Sequence, residues 1–262
     1  MLSLLAETKY HKHVKAFLEN NTDYRYIEEL GVGSYGVAYL IEHSGSHKKY
    51  VLKRMKAKHR SKEKLRQKFN LEIQLLKEIG LLNTPSVISQ GEIENIPFYI
   101  MDFIEGQTFE QAIFRDGNTF SLDQSLSITK QLLEYVVILH NKGIVHRDLR
   151  IPNILFKDDQ LYIIDFGLAS YIDKNIQSEV IDNPKRAQNH ISDLYFIGHF
   201  LLFLLYSTYT PTIKKERSWQ QELQLPEPVV HYIERLLLLG EPFSSAEEAL
   251  SLMPLEYASS TR

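Results

Sequence analysis

The chain has 262 residues, 44 % of them apolar and 24 % charged, with a net charge of −3 and no cysteine. Disulfide frameworks and thiolate metal sites are excluded, and the length admits one large domain or two lobes with a sizeable core. The balance is that of a soluble globular protein in a reducing compartment, which leads us to expect a cytoplasmic one. The charge is unevenly spread. Between Lys48 and Lys68 lie eleven Lys/Arg and one acidic residue, Glu63, which leaves 19 basic against 32 acidic residues elsewhere. Such a run is ordinarily a solvated strand and helix surface; its sharper reading is a docking face for an acidic partner, nucleic acid included.

The N-terminal MLSLLAETKYHKHVKAF has neither the basic region nor the small-residue cleavage site of a leader, and is expected to be an amphipathic helix. YIEELGVGSYGVAYLIEH reads as two strands around a glycine turn, and KKYVLKRM as a third. SKEKLRQKFNLEIQLLKEIG is a helix with Ser61 at its start and Gly80 at its end. VISQGEI and PFYIMDF are two more strands. From about residue 107 the pattern turns helical: SLDQSLSITKQLLEYVVILHNKG carries apolar residues near helical spacing, with Ser121 as cap and Gly143 as stop. The short strands NILF and LYIID precede SDLYFIGHFLLFLLY, a helix apolar all round that belongs inside a lobe. Its apolar run, 196–206, is too short to cross a bilayer of roughly 30 Å. Two or three helices finish the chain.

No internal repeat and no low-complexity linker is visible. The expected architecture is α+β: an N-terminal helical extension (1–24), a small, mainly antiparallel β lobe with one helix (25–101), a connection (102–106) and a larger helical lobe (107–262), sharing a cleft near the connection.

Three groups of residues carry chemistry. Gly31, Gly33 and Gly36 in GVGSYG let a backbone approach phosphate oxygens closely, although a plain glycine-rich hairpin turn gives the same pattern. Their strand–turn–strand setting argues against a dinucleotide fingerprint, which needs strand–turn–helix. Lys53 shares a strand face with Val51, while Leu52 points the other way. In the following helix Leu65, Phe69, Glu72, Leu76 and Ile79 recur at spacings of four, three, four and three. Glu72 thus sits within an apolar stripe, where a carboxylate needs a partner, and Lys53 is the natural one. Asp165 ends the strand LYII, and Asn153 begins the strand NILF. An oxygen donor from each, with phosphate oxygens and water, is what Mg²⁺ prefers. Asp148 then remains as the carboxylate able to accept a proton from an attacking hydroxyl.

In order and in context these residues resemble the protein-kinase family over roughly 25–253, through the glycine loop, YVLK, Glu72, HRDLRIPN (146–153), DFG (165–167) and the helix starting SDLYFIG. The resemblance is to compact bacterial serine/threonine-type members, and it implies a two-lobed fold with ATP and Mg²⁺ in the cleft. The backbone at Gly31, Val32, Gly33 and Gly36 would cover the phosphates, and Lys53, oriented by Glu72, would hold them. Asn153 and Asp165 would bind Mg²⁺, while Asp148 orients and deprotonates the acceptor, with Arg150 beside it. By position, Ala38, Val51, Met101, Asp102, Ile104 and Leu155 resemble the residues around adenine. His146 and Phe166, with Leu76, resemble the family's apolar spine, and Asp193 the aspartate that anchors the catalytic loop.

The chain departs from the family pattern in four places. Ala38 and Val51 stand where valine and alanine are usual, a volume-conserving swap. Arg150 replaces the usual lysine. Only 28 positions separate Asp165 from Asp193, with no APE-like triplet between them. Phe243 or a neighbour stands where that triplet's arginine partner would fall, so both ends of the pair are missing together. Arg147, which in the family commonly meets a phosphorylated residue, is offered Ser170, Tyr171 and Ser178 but also Asp173, Glu179 and Asp182. A carboxylate, or nothing, is expected to meet it. The implied activity is transfer of the ATP γ-phosphoryl group to a protein Ser or Thr. A small-molecule kinase and a nucleotide-binding pseudokinase are the alternatives, although Lys53, Asp148 and Asp165 are all present.

Overall fold

Alternation in GVAYLIEH and KYVLKRM sorts side chains to two faces, and each face meets a different helix. The computed structural model describes residues 2–81, 83–173, 183–210 and 217–258, with side chains from Glu7 onward. Ser178, Glu179 and Asp182 lie outside the described residues. There are two compact units, Met1–Glu105 and Gly106–Arg262.

The first unit runs α1 (Leu2–Asn21), β1 (Tyr24–Val32), β2 (Gly36–His43), β3 (Lys49–Met55), α2 (Glu63–Ile79), β4 (Val87–Ile93) and β5 (Ile96–Asp102). The strands form an antiparallel sheet in the order β1-β2-β3-β5-β4. Val37, Tyr39, Ile41, Leu52, Phe98 and Ile100 of one face are buried together with Val14 and Leu18 of α1. Tyr10, Val14 and Leu18 recur every four residues, so the helical period gathers them into one stripe. A fully buried leucine or valine contributes about 1.5–3 kcal/mol, and α1 is therefore part of this unit's core. The opposite face carries Ala38, Lys53 and Tyr99. There α2 packs, Phe69 meeting Tyr99 at 5.5 Å between ring centroids.

Helix α2 ends at Gly80, in the left-handed region at φ 54°, as expected. Its start differs from expectation. Lys62 occupies the cap position and makes no side-chain cap bond. The Lys62 N–H instead donates to the His59 carbonyl at 2.9 Å, continuing a turn from Ala57–His59 that carries Ser61 past the helix boundary.

The second unit contains β6 (Gln107–Thr108), α3 (Leu122–Asn141), β7 (Ile144–Val145), β8 (Ile154–Lys157), β9 (Gln160–Ile163), β10 (Ser170–Tyr171), α4 (His190–Tyr206), α5 (Trp219–Glu222), α6 (Glu227–Leu236) and α7 (Ala246–Ser251). Ser121 and Gln124 form a reciprocal capping box at the start of α3. Helix α4 begins before SDLYFIG: Asn189 is its cap, accepting from the Ile191 N–H at 3.2 Å, and Ser192 Oγ turns back to the Asn189 carbonyl. Apart from Phe203, which is exposed, the apolar side chains of α4 are largely buried, and at Gly198 the helix passes so near α6 that a Cβ would stand 2.9 Å from Leu237 Cδ2 and 3.0 Å from Leu236 Cβ. Strands β6, β8 and β9 form one small sheet, and β7 pairs with β10. The two-residue strands β6, β7 and β10 are too short to show alternation, and the sequence pattern does not reveal them. No described helix is long and apolar enough to cross a membrane.

Candidate active site

In the first unit, sheet register sets Ala38, Lys53 and Tyr99 side by side on the face toward α2. Glu72, 4 % exposed, interrupts the buried stripe of Phe69, Leu76 and Ile79. Lys53 Nζ donates to Glu72 Oε1 at 2.6 Å, and the Tyr99 hydroxyl donates to the same oxygen at 2.9 Å. Sequence reasoning finds the lysine and misses the tyrosine. Its signal was a tyrosine on an apolar strand, whose buried hydroxyl needs a partner. Glu63 and Glu78 are exposed.

The glycine turn divides into two parts. Gly36 is required by internal packing, because a Cβ there would stand 2.9 Å from the Arg54 carbonyl oxygen and 3.4 Å from Lys53 Cε. A Cβ on Gly31 would meet nothing within 4 Å, and one on Gly33 only the Gly36 carbonyl at 3.8 Å. Packing within the protein therefore does not call for glycine at 31 and 33. With Val32 they form an exposed stretch whose backbone is open to an outside ligand. Val51 is buried, and Ala38, Met101, Asp102 and Ile104 are partly so. The Asp102 N–H donates to the Ser86 carbonyl at 3.1 Å, and its carboxylate accepts from Lys48 at 3.0 Å.

In the second unit the HRDLRIPN segment is hung from Asp193 of α4, which is fully buried. Asp193 accepts from the His146 N–H at 2.9 Å and the Arg147 N–H at 2.6 Å, and its Oδ2 lies 2.9 Å from His140 Nε2. Burial alone would raise its carboxyl, but the His140 hydrogen bond, the imidazoles of His140 and His146 and the Arg147 N–H hold it below the usual carboxylate range. Burial lowers the His146 imidazole from its ordinary value; its Nδ1 accepts from the Asp148 N–H at 3.2 Å, and its ring stands edge-on to Phe166 at 4.6 Å. Arg147, with φ 66°, and Asp165, with φ 62°, both sit in the left-handed region, backbone strain of the sort that gathers at functional sites.

Asp148 is buried, and two side chains converge on it. Asn153 Nδ2 donates to both Asp148 O and Oδ2 at 2.9 Å. Arg150 donates through Nε to Oδ1 and through its terminal nitrogen to Oδ2 at 2.9 Å. The pairing of β8 with β9 continues past its end, where the Ile164 N–H donates to the Asn153 carbonyl at 2.9 Å, so Asp165 lies one residue from Asn153's bonding partner. Asp165 is exposed, and Leu155 of β8 is buried.

The position expected to lack the family's arginine is rebuilt with other groups. Phe243 is buried beneath the Arg235 guanidinium, 3.9 Å from the ring centroid. Arg235 pairs with Glu248 at 2.7 Å, and His190 Nε2 lies 3.1 Å from the Phe243 carbonyl. The Arg147 side chain forms no ion pair with a carboxylate among the described residues. Its guanidinium donates to the carbonyls of Leu168 at 3.3 Å and Arg186 at 2.9 Å.

Of the basic stretch, Lys48, Lys53, Arg54 and Arg66 pair with Asp102, Glu72, Glu7 and Glu92. Lys49, Lys58, Lys62 and Lys64 are exposed and form no ion pair among the described residues.

Residues 24–197 match the family described as protein kinase domain. The chain is 36 % identical over 243 residues to a probable serine/threonine-protein kinase, YbdM, of Bacillus subtilis (strain 168), a match covering 92 % of each. It is 28 % identical to the serine/threonine-protein kinase PKH2 of Candida albicans over 72 % of this chain and 20 % of that one. It is 32 % identical to the serine/threonine-protein kinase cds1 of Schizosaccharomyces pombe over 58 % of this chain and 34 % of that one. The chain belongs to the protein kinase family, and it is a phosphotransferase of the α+β, two-lobed fold.

Proposed function

We propose that the protein transfers the γ-phosphoryl group of ATP to a serine or threonine hydroxyl of a protein, with Asp148 as proton acceptor. The observation that carries this reading is the convergence of Asn153 and Arg150 on Asp148, in a loop suspended from the buried Asp193. Asp148 takes the hydroxyl proton as the acceptor oxygen bonds to the γ-phosphorus and the bridge to the β-phosphate breaks, releasing ADP. Asn153 keeps the carboxylate turned toward the acceptor. Arg150, held on Asp148 in this structure, offers a planar fork that also suits a phosphate.

Lys53 holds the α- and β-phosphates, while Glu72 and Tyr99 fix its direction. The backbone at Gly31, Val32, Gly33 and Gly36 covers the phosphates. Ala38, Val51, Met101 and Leu155 enclose the adenine, and the backbone of Asp102 to Ile104 bonds to it. One amide and one carboxylate, Asn153 and Asp165, are oxygen donors of the kind Mg²⁺ takes, and they are linked through the Ile164–Asn153 bond. When bound there, the ion would supply neutralisation of phosphate charge.

The serine/threonine assignment is supported by the names of the relatives. The exposed lysines at 49, 58, 62 and 64 are read as a docking face for an acidic partner, whose binding should weaken steeply with salt. The cysteine-free chain suits the cytoplasm. The test is incubation with γ-labelled ATP and Mg²⁺, alone and with generic protein acceptors. Label on serine or threonine supports the proposal. Label confined to a small-molecule acceptor, or nucleotide binding without transfer, overturns it in favour of the small-molecule kinase or the pseudokinase.

A further inference from the structure

Residues 1–23 precede the stretch matched by the family, yet they reach the residue next to Lys53. Arg54 follows Lys53 in β3, so its side chain leaves through the opposite face of the sheet. It is 2 % exposed, a burial that a guanidinium tolerates only with partners. Its NH1 donates to Glu7 Oε2 at 2.9 Å and to the Met55 carbonyl at 3.2 Å, and its Nε and NH2 donate to the Tyr39 hydroxyl at 3.0 and 2.8 Å. Glu7 belongs to α1. Two consecutive residues of one strand thus form ion pairs on opposite faces, Lys53 with α2 and Arg54 with α1.

A second set of contacts fixes α1 itself. Val14 and Leu18 are buried in the sheet's core, and Phe17 meets Phe98 edge-on at 5.3 Å. Arg60, in the link from β3 to α2, donates to the Tyr10 hydroxyl at 2.7 Å. The same hydroxyl reaches the Glu94 carbonyl, in the β4–β5 turn, at 3.5 Å. The helix therefore holds β3 from behind and also grips the link that leads into α2, the helix carrying Glu72.

We propose that α1 is a built-in brace for the nucleotide-phosphate site, with Glu7 a positioning residue that acts through Arg54 on Lys53. This rests on the reading of Lys53 as the phosphate-holding lysine. A helix that merely added stability would change the folded fraction and leave the affinity of folded molecules untouched. A brace changes that affinity, and only while Lys53 is there to be positioned.

The test is a double-mutant cycle in the full-length chain, with Glu7→Ala, Lys53→Met and the pair, reading Mg-ADP affinity by calorimetry and the thermal midpoint beside it. Glu7→Ala should weaken Mg-ADP binding about three- to tenfold, the coupling usual between residues in one network, and should have no further effect in the Lys53→Met background. Tyr10→Phe, which leaves every charge in place, should weaken binding in the same direction by less, and keeps the test open should Glu7→Ala fold poorly. An unchanged affinity in Glu7→Ala and Tyr10→Phe overturns the proposal. So does a Glu7→Ala loss of equal size with and without Lys53. Wild-type affinity in Lys53→Met alone overturns the reading of the site itself, a result seen in the single variant before the cycle is closed.

Discussion

Arg150 grips both carboxylate oxygens of Asp148 while its own side chain stays 57 % exposed to solvent. An exposed guanidinium on a buried carboxylate is a displaceable partner, since water can replace its bonds. The Asn153 bond to Asp148, by contrast, is buried and stays. Asp148→Asn removes the proton acceptor and leaves Asn153 and Asp165 in place. Turnover should fall about 10²- to 10⁴-fold while Mg-ADP affinity stays within a few fold. Steady-state rates beside calorimetric binding check this, and near wild-type turnover would remove Asp148 from the mechanism.

Lys53→Met takes the cation away from a buried carboxylate. The unfolding free energy, read from urea titrations, should drop by about 1–3 kcal/mol, with Tyr99→Phe costing less, about 0.5–1.5 kcal/mol. A stability unchanged by Lys53→Met would mean that Glu72 does not depend on the lysine.

Arg147 is already engaged by two main-chain carbonyls, from Leu168 and from Arg186, that lie within the shortened segment, toward its two ends. Around it the Ile172 N–H bonds the Gly143 carbonyl and the Asp173 N–H bonds the Gln188 carbonyl, both at 2.8 Å. Parts of the segment next to HRDLRIPN are thus tied without a phosphate. Purified protein treated with phosphatase should keep its activity in a fresh assay. If treatment abolished activity and rephosphorylation restored it, Arg147 would need a phosphate after all.

Glu248 is pushed down to about 2 from 4.5 by hydrogen bonds from the Ser244 hydroxyl and N–H and by Arg235. A carboxyl depressed in the folded state contributes stability that is complete above its ordinary value. That stability is lost as pH falls toward 2. Thermal midpoints should therefore decline between about pH 4.5 and 2, and Glu248→Gln should show a shallower decline over that window. Parallel curves for the two proteins would show that the Arg235–Glu248 link does not contribute.

The strand and helix order of the first unit and the Lys53–Glu72 pair were legible in the sequence, because alternation and helical spacing are local properties and a carboxylate within an apolar stripe demands a partner. HRDLRIPN and DFG were legible as a family resemblance for a similar reason, being short runs with fixed spacing. Ser61 as a helix cap was not, because the turn closed by the Lys62 N–H on the His59 carbonyl puts Lys62, not Ser61, at the cap position of α2. Phe243 marked where the family's arginine is missing, but nothing in EPFSSAEEAL says that Arg235 stacks on it and binds Glu248.

The contrast is sharpest at two neighbouring residues. Spacing alone shows that Glu72 needs a partner and offers Lys53, whereas Arg54 reads as one more charge in a basic run. Only the folded sheet brings Glu7, 47 positions away, against its buried face. Likewise only the fold brings Asp193 under His146 and Arg147. The sequence by itself determined which residues want partners, since burial and period are written along the chain. Which partners they find across long separations was decided by tertiary packing, because a desolvated charge takes whatever opposite group the core brings within bonding distance.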